Sequence, residues 1–447
     1  MMDTRRRTFL QSISAAAALP TLRSILREQT LLAGQPREGS ADARLRDLRD
    51  QFPLLRENVD GRPLVYLDSA ATTQRPRAVL DALNNFYLHE NANPSISLHA
   101  LARRSAAFYE GARATVARFL NAHGPDEIVF TRGTTEAINL VASSWGGANL
   151  RRSDEILVTV SDHYSSLVPW QLAAERAGAT LRVWDVNDEG HLRLDQLDRL
   201  LSKRTKIVTF PHVSNVVGAI NPAKEICDRA HRAGAVVLVD AAQSVPHFSV
   251  DVREIGCDFL ALSGHKMCGP MGIGALWARR ELLDAMPPFQ AGSNMVHEVE
   301  LGSAPMHFAE GGLKFEAGTP NVPGAVGLAA AILFLESLGR KELWTREQEL
   351  TEYALSSLAK VKGVRILGPK KTNERISVFS FVVENRKPLE IAASLDRNGI
   401  AVRAGDLASL PALKRFGVTA AVRASCYIYT STDDIDRLVA GLLVRSY

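Results

Sequence analysis

Two charged residues in the middle of the chain have the types and the setting that cofactor chemistry requires. Asp240 closes the apolar run Val236–Asp240, and Lys266 follows later in a small, polar stretch, residues 263–266. A lysine amine condenses with an aldehyde as a Schiff base, while a carboxylate at the end of a buried strand keeps a pyridine nitrogen protonated. Pyridoxal 5'-phosphate (PLP) needs both groups, so the sequence predicts this cofactor on Lys266.

A cofactor phosphate needs a cradle, and a candidate follows an earlier apolar run, residues 127–131. Gly133 and the two threonines after it open a helical stretch, where backbone N–H groups and hydroxyls can hold an anion. The threonines can instead simply cap the helix, but a cofactor on Lys266 favours the phosphate role. The candidate phosphate ligands share a hydroxyl or an imidazole and are Thr134, Thr135, Ser263 and His265.

Three further polar residues follow apolar runs at the points where strands are expected to end. His163 could lie over the face of a pyridine ring, and Asn215 and Gln243 could bond its phenolic oxygen. Each also has a purely structural interpretation, as a loop residue or a turn amide that satisfies nearby backbone. Open α/β sheets bind ligands at the carboxyl ends of their strands. Because all three polar residues lie at such ends, the pattern favours a ligand-binding site over the structural interpretations.

The elements that must position these residues follow an alternating pattern. From about residue 52, short apolar runs alternate with helical stretches such as residues 222–233, which is typical of a parallel sheet with crossover helices. A long helical pattern over residues 324–361 then leads to strands near 375–383 and 422–429. We predict an α/β fold. The strand candidates of the large sheet are residues 127–131, 155–160, 181–184, 206–210, 236–240 and 259–262.

The domain organisation follows from the same pattern. We expect a large, mostly parallel sheet domain over residues 52–325, then a linking helix and a smaller α+β domain over 326–447. Of 447 residues, 53 are basic and 49 acidic, and this net charge of +4 gives no argument for a nucleic-acid partner. The four cysteines have neither metal-site nor disulfide-framework spacing, so no metal is predicted.

The N-terminus suggests export. Residues 5–11 read Arg-Arg-Arg-Thr-Phe-Leu-Gln and resemble a twin-arginine signal, followed by a mildly apolar segment far too short for a stable membrane span. We expect a signal over residues 1–30, a polar connector over 31–51 and a periplasmic or otherwise exported protein. The alternative is a disordered basic N-terminus on a cytoplasmic protein.

From residue 52 to the C-terminus the chain resembles class V aminotransferase-fold enzymes, and among them the group II cysteine desulfurase and selenocysteine lyase family. The resemblance implies a fold-type I PLP-dependent transferase that works as a homodimer on a small amino-acid substrate. The stretches that carry it are residues 66–71, 131–136, 212–215, 239–243, 263–266, 315–321 and 423–425.

The resemblance also implies a role for each candidate residue. Lys266 would be the Schiff-base lysine, His163 would stack on the ring, and Asp240 would pair with its nitrogen. Asn215 and Gln243 would bond the ring oxygen, with Asn215 also near the substrate. The phosphate would be held by Thr134, Thr135, Ser263 and His265, and by Thr319 reaching over from a neighbouring subunit. Arg423 would grip the substrate α-carboxylate, a task that suits a planar bidentate donor.

Two departures from the family pattern bear on activity. Ala408 stands where the family carries the cysteine that attacks substrate sulfur, and an alanine cannot be a nucleophile. Ser95 and Ile96 stand where the family carries a histidine and an arginine. Cys426 has opposite strand parity to Arg423, which predicts a core cysteine rather than a substitute nucleophile.

These departures favour a PLP-dependent lyase that cleaves a C–S or C–Se bond of a cysteine-derived amino acid by α-proton abstraction and β-elimination. A good leaving group such as selenide, sulfinate or an oxidised sulfur needs no protein thiol. Epimerisation or transamination at the α-carbon, cysteine desulfuration proper, and a non-catalytic PLP-binding protein are the alternatives.

Overall fold

The computed structural model describes residues 41–94, 99–299, 302 and 306–444. The arginine-rich motif at residues 5–11 lies outside them, as do Ser95 and Ile96. The predictions made for these positions therefore stay predictions.

The described chain opens with an arm that reaches the C-terminal part of the protein. Its last strand pairs in parallel with Ile400–Ala401, where Val65 lies opposite Ile400. The next residue, Leu67, is fully buried in the core of the C-terminal domain. The elements of the arm are α1 (Ala41–Arg49), the hairpin β1 (Asn58–Val59) and β2 (Arg62–Pro63), and β3 (Val65–Tyr66).

A seven-stranded sheet forms the centre of the large domain. Its order is β4-β10-β9-β8-β7-β5-β6, and only β10 runs antiparallel to its neighbours. The strands are nearly all apolar and buried, as expected when helices cover both faces. They are β4 (Ile128–Thr131), β5 (Glu155–Thr159), β6 (Thr180–Trp184), β7 (Thr205–Pro211), β8 (Val236–Asp240), β9 (Phe259–Ser263) and β10 (Gly274–Ala278).

Helices cover the two faces of this sheet and form two apolar clusters with it. In each crossover the helix after a strand begins near the carboxyl edge, where the candidate residues lie. The helices are α2 (Arg77–Asn85), α3 (Ala100–Phe119), α4 (Thr134–Asn149), α5 (Tyr164–Ala177), α6 (Leu194–Leu200), α7 (Ala223–Arg232), α8 (Val252–Ile255) and α9 (Arg280–Ala285).

The six strands expected in the large sheet are all present, each within one residue of its predicted ends. The crossover helix expected over residues 222–233 is α7. Strand β10 was missed in the sequence because its five residues follow a run of glycine and proline. A run that short gives too little periodicity to separate a strand from a loop.

The long helical pattern expected over residues 324–361 is broken in the structure. It forms α10 (Val322–Ser337) and α11 (Arg340–Ala359), whose axes differ by 76°. Gly339 between them has φ +80°, a left-handed conformation that ends a helix. No single helix among the described residues is long and apolar enough to cross a membrane, and only this bent pair reaches the required length.

The C-terminal part contains a four-stranded antiparallel sheet of order β13-β14-β17-β16, as the α+β expectation requires. The strands from the ribbon before α10 onward are β11 (Val296–Glu298), β12 (His307–Phe308), β13 (Val364–Ile366), β14 (Val378–Val383), β15 (Ile400–Ala401), β16 (Arg403–Gly405) and β17 (Ala421–Ser425). The remaining helices are α12 (Pro388–Asp396), α13 (Leu410–Arg415) and α14 (Thr432–Leu443).

The last strand ends earlier than the expected 422–429, because a turn begins directly after Ser425. Tyr427 N donates to Thr430 Oγ1 (3.0 Å) and Thr430 N donates to Tyr427 O (2.9 Å), which closes this turn. Cys426 is fully buried in the core of the C-terminal domain. The prediction of a core cysteine is therefore confirmed.

Candidate active site

Lys266 lies at the carboxyl edge of the large sheet, in a 3-10 turn directly after β9. Burial is the main effect that lowers the pKa of its amine to about 8, and Arg423 lowers it further while Asp240 opposes the shift. A neutral amine is the form that attacks an aldehyde. The environment therefore prepares Lys266 for the reaction that the sequence assigns to it.

Asp240 ends β8 with its carboxylate buried, and burial raises its pKa. One oxygen, Oδ1, accepts from Ala242 N at 2.9 Å. Gln243, on the same turn, donates from Nε2 to Ala70 O (2.8 Å), while its buried Oε1 has no hydrogen-bond partner among the described residues. A buried polar atom without a partner is costly, so this amide marks a place where a polar ligand group belongs.

The predicted phosphate cradle is formed where α4 begins beside the end of β9. Thr134 N donates to Ser263 Oγ (2.9 Å), and the two hydroxyls lie 2.8 Å apart. Gly133 has φ +149°, and a Cβ there would lie 3.2 Å from Ser263 Oγ. The backbone at this point therefore needs glycine, and it opens the helix N-terminus toward the cleft.

The two other predicted phosphate ligands flank this cradle. Thr135 follows on the first turn of α4 and is exposed. Burial lowers the pKa of His265 to about 4, and Lys266 lowers it further. His265 is therefore neutral near pH 7, and it can offer a phosphate a hydrogen bond but no charge.

His163 is the N-cap of α5, and its Nδ1 accepts from Ser165 N at 3.1 Å. Burial, with smaller contributions from Lys266 and Arg423, lowers the pKa of the imidazole to about 4. The ring is therefore neutral, with its proton on Nε2. A neutral ring fixed by the helix start is suited to stacking on a protonated pyridine.

Arg423, on β17, is the buried arginine that the sequence assigns to the substrate carboxylate. It donates from Nη1 to Asn215 O (2.9 Å), and its Nε has no partner among the described residues. Asp68 lies 3.6 Å from its Nη2 and forms a closer pair with Arg403 (2.7 Å). Arg403 lies opposite Arg423 on β16. Asp68 belongs to residues 66–71, one of the stretches that carry the family resemblance, but no role was predicted from the sequence for Asp68 or for Arg403.

Asn215 is placed at the cleft, but its side chain is bonded to protein groups. Its Nδ2 donates to Leu407 O (3.0 Å), and its Oδ1 accepts from Ser409 Oγ (3.1 Å). Both partners belong to the loop that carries Ala408. One hydrogen of Nδ2 stays available, so the predicted bond to the ring oxygen stays a prediction.

The loop around Ala408 is held from two sides. Ala408 O accepts from Tyr164 N (2.9 Å), and the Tyr164 hydroxyl donates to Asp406 Oδ2 (3.0 Å). Leu407 is buried in an apolar cluster that includes Val216 and Leu413. Leu407 and Ala408 have φ of +55° and +53°, a conformation that non-glycine residues rarely adopt. No role for Tyr164 was predicted from the sequence, because nothing in the sequence links it to residue 406.

Thr319 is exposed in the loop before α10, and its hydroxyl accepts from Asn93 Nδ2 at 3.4 Å. No hydrogen bond among the described residues joins Thr319 to Ser263 or Thr134 of its own chain. Its predicted contact with a neighbouring subunit's phosphate stays a prediction.

All four cysteines of the chain lie within the described residues and are buried. Burial raises the pKa of every one of these thiols, to about 12 for Cys227 and Cys268 and well above the usual thiol value for Cys257 and Cys426. None of them is an accessible thiolate at neutral pH.

Outside the cleft, Glu189, His191 and Glu374 bring potential metal-ligand atoms within 4.8 Å of one another. Glu374 Oε1 accepts from Lys371 Nζ at 2.8 Å, so part of the group's charge is already balanced. The cluster contains no cysteine, which is why the cysteine spacing gave no sign of it.

Comparison with known proteins identifies the family. A family model described as "Aminotransferase class-V" matches residues 65–438. The chain belongs to the class V aminotransferase family. A probable cysteine desulfurase of Halalkalibacterium halodurans is 46% identical over 396 residues, which cover 89% of this chain and 96% of that protein.

Solved structures of this family have the same fold. The cysteine desulfurase CsdA of Escherichia coli has a TM-score of 0.81 and 38% identity, with 89% of this chain and 97% of that chain covered. The cystine C-S lyase C-DES has a TM-score of 0.75 and 25% identity, with 88% and 99% covered. The prediction of a fold-type I α/β enzyme is therefore confirmed.

This class V aminotransferase-family protein is a PLP-dependent enzyme, and its described residues fit the cofactor. The unpartnered Gln243 Oε1 and the glycine-dependent cradle at Gly133 are the two observations that carry this fit. PLP, when bound, supplies an electron sink that weakens the bonds at a substrate α-carbon. The predicted role of Lys266 in moving the α-proton stays a prediction.

Proposed function

We propose that the enzyme cleaves the C–S or C–Se bond of a cysteine-derived amino acid by α-proton abstraction and β-elimination, without a protein thiol. The observation that carries the proposal is the state of the cysteines. All four are buried with raised pKa values, and the loop over the site presents Ala408. A persulfide needs an accessible thiolate, and no residue at this site offers one.

The side chains of the cleft have roles that elimination requires. Arg423 binds the substrate α-carboxylate through the guanidinium atoms that face the cleft, and Lys266 accepts the α-proton as a general base. The loop around Ala408 closes over the site and limits the entry of water. The leaving sulfur departs with its bonding electron pair, so a leaving group that is stable as an anion replaces the need for a nucleophilic thiol.

The need for a leaving group that is stable as an anion indicates which substrates fit. For an S-alkyl-L-cysteine S-oxide, the Cβ–S bond breaks with its electron pair going to sulfur. The products after hydrolysis are pyruvate, ammonium and a sulfenic acid. A structural relative named as a cystine C-S lyase supports C–S cleavage on this fold. Selenide, released from selenocysteine, is a comparable leaving group.

Cysteine desulfuration is the second candidate, because two relatives that are 46% identical to this chain are named cysteine desulfurase or probable cysteine desulfurase. The two reactions give different products from their substrates. Desulfuration of L-cysteine gives alanine and enzyme-bound sulfur, whereas elimination gives pyruvate.

The test is product analysis with purified holoenzyme and a small set of amino acids. S-propyl-L-cysteine S-oxide is expected to give pyruvate at least about tenfold faster than L-cysteine gives either product, since each 1.36 kcal/mol in the barrier is tenfold in rate. Alanine and sulfide from L-cysteine at comparable rates would favour desulfuration. A D-amino acid as the only product would favour epimerisation, and an oxo acid formed with loss of PLP absorbance would favour transamination. No reaction and no change in the PLP spectrum would favour a binding protein.

We further propose that the active enzyme is a homodimer. Tyr87, Leu88 and Met271 are 60–66% exposed and belong to the large domain, which also carries the exposed Thr319. Large apolar side chains at this exposure are typical of an interface. Light scattering is expected to give about twice the chain mass of 48.8 kDa. A monomer that retains PLP and activity would contradict this proposal.

Export by the twin-arginine route is proposed from residues 5–11 alone. Expression of the full chain is expected to place the protein in the periplasmic fraction. Replacing Arg6 and Arg7 together by lysine is expected to keep it in the cytoplasm. Equal distribution of both forms would refute the export signal.

A further inference from the structure

We propose that Asp406 selects the distal part of the substrate, and that the enzyme takes cysteine derivatives whose sulfur substituent ends in a cation or a strong hydrogen-bond donor. This inference rests on the proposed lyase function and deepens it. It begins from an exposed carboxylate in the loop over the site that forms no ion pair with any described residue. A fixed, uncompensated charge at the mouth of a cleft influences which ligands enter.

The position of the Asp406 carboxylate is set by two hydrogen bonds. The Tyr164 hydroxyl donates to Oδ2 (3.0 Å), and Ala408 N donates to Oδ1 (3.1 Å). The Tyr164 hydroxyl also accepts from Leu410 N (3.3 Å), so the phenol joins the two ends of the loop. Each carboxylate oxygen keeps a lone pair for a ligand.

The Asp406 carboxylate lies on the side of the loop that faces the cofactor-stacking histidine. Tyr164 directly follows His163 at the start of α5, and the charge of Asp406 acts on the His163 ring. Asn215 holds the other side of the same loop. In this proposal, a substrate side chain that extends from the α-carbon past His163 reaches Asp406, whose carboxylate is bonded to the adjacent Tyr164.

Three cationic groups near the site already have partners or assigned ligands. This determines whether the site prefers a substrate with a distal cation or a distal anion. Arg403 is paired with Asp68 at 2.7 Å. Arg423 is assigned to the α-carboxylate, and Lys266 to the cofactor. None of these three cations is left for a distal anion, and Asp406 repels one. Of the leaving groups considered, an S-oxide with a cationic or hydrogen-bond-donating substituent fits better than a free sulfinate.

The experiment measures equilibrium binding of three cysteine thioethers to the holoenzyme by calorimetry. They are S-(2-aminoethyl)-L-cysteine, S-propyl-L-cysteine and S-carboxymethyl-L-cysteine, which carry a cation, no charge and an anion at similar length. The cation is expected to bind at least about fivefold more tightly than the neutral ligand, as for a favourable exposed ion pair, and the anion is expected to bind most weakly. The preference should shrink as salt concentration rises.

Asp406→Asn is the test variant, and Asp60→Asn is its matched control. Asp60 is an exposed aspartate in the β1–β2 turn with φ +49°, a conformation that asparagine also tolerates. Asp406→Asn is expected to bring the three dissociation constants within about twofold of one another, since the exposed pair is removed. Asp60→Asn is expected to leave the ratios unchanged. Equal binding of cation and anion by the wild type, or unchanged ratios in Asp406→Asn, would overturn the inference.

The failure of this inference and of the proposed function can be told apart. Pyruvate from S-propyl-L-cysteine S-oxide without any charge preference in binding would leave the lyase in place and refute the role of Asp406. A charge preference that depends on Asp406, without pyruvate from any S-oxide, would refute the lyase and keep Asp406 as a ligand-selecting residue.

Discussion

Asn215 is hydrogen-bonded through both ends of its amide to the loop that carries Ala408, at 3.0 Å to Leu407 O and 3.1 Å to Ser409 Oγ. The loop is therefore attached to the cofactor-binding edge of the sheet rather than projecting into solvent. Two consecutive left-handed residues give it the bend that this attachment requires. A sulfur-carrying loop must move a thiol between substrate and acceptor. This loop is instead held in place by its hydrogen bonds to Asn215.

Removing the Asn215 amide should release the loop. Asn215→Ala deletes two hydrogen bonds in a buried setting, which should lower the free energy that keeps the loop closed by about 1–3 kcal/mol. Hydrogen exchange of residues 406–410 is expected to increase by at least about tenfold, following the same free-energy scale. Asn221→Ala is the matched control, because its side chain also makes two hydrogen bonds, to Leu192 N and Pro211 O, away from the loop. Equal exchange in both variants would contradict this account of the loop.

Ala408→Cys tests whether the loop position itself is suited to sulfur chemistry. Ala408 is partly exposed and its carbonyl is bonded to Tyr164 N, so a thiol there would have the exposure that the four native cysteines lack. The variant is expected to gain alanine formation from L-cysteine and a persulfide on residue 408 that mass spectrometry detects. Ala408→Ser, of nearly the same size, is expected to gain neither. A serine variant that matched the cysteine variant would show that the thiol is not the deciding group.

The pKa of Lys266 predicts how the apoenzyme takes up PLP. With its pKa lowered from 10.5 to about 8, the neutral amine increases as pH rises through 8. The rate at which the apoenzyme forms the visible PLP absorption band should therefore rise with pH and level off above about 8. Asp240 raises this pKa, so Asp240→Asn should move the midpoint to lower pH. A midpoint that stays near 10, or that moves upward in the variant, would refute the environment described for Lys266.

The phosphate cradle predicts a glycine requirement at one position and none at another in the same segment. Ala at Gly133 would have to adopt φ +149° with its Cβ 3.2 Å from Ser263 Oγ, a conformation that costs about 1–3 kcal/mol. The dissociation constant for PLP should increase by roughly tenfold, the equivalent of 1.4 kcal/mol. Gly147 lies within α4 with nothing within 4 Å of an added Cβ. Gly147→Ala should therefore bind PLP normally and be slightly more stable, whereas weakened binding in both variants would argue against the cradle.

The sequence predicted the large sheet and the residues at its carboxyl edge because both depend on local pattern. Apolar runs of four to six residues predicted the strands, and polar residues such as Asp240 and His163 lie at or shortly after the ends of these runs. Lys266 and Ser263 are close in sequence, so their proximity in space could be predicted without knowledge of the fold.

The parts that sequence did not predict depend on contacts between distant residues. Tyr164 and Asp406 are 242 positions apart, and their contact requires the loop to bend through Leu407 and Ala408. The Asn215 amide was expected to serve the cofactor and the substrate, or else nearby backbone, since nothing local shows that Ser409 bonds it. The break at Gly339 was also missed, because apolar residues continue on both sides and hide the turn that φ +80° creates.

The central claim is C–S cleavage without a protein thiol. The most direct test measures pyruvate and alanine released by the holoenzyme from S-propyl-L-cysteine S-oxide, before and after exposure of the native protein to excess iodoacetamide. Because all four cysteines are buried, pyruvate should form at the same rate in both samples, with no alanine. Loss of turnover after alkylation, or alanine as the main product, would contradict the account.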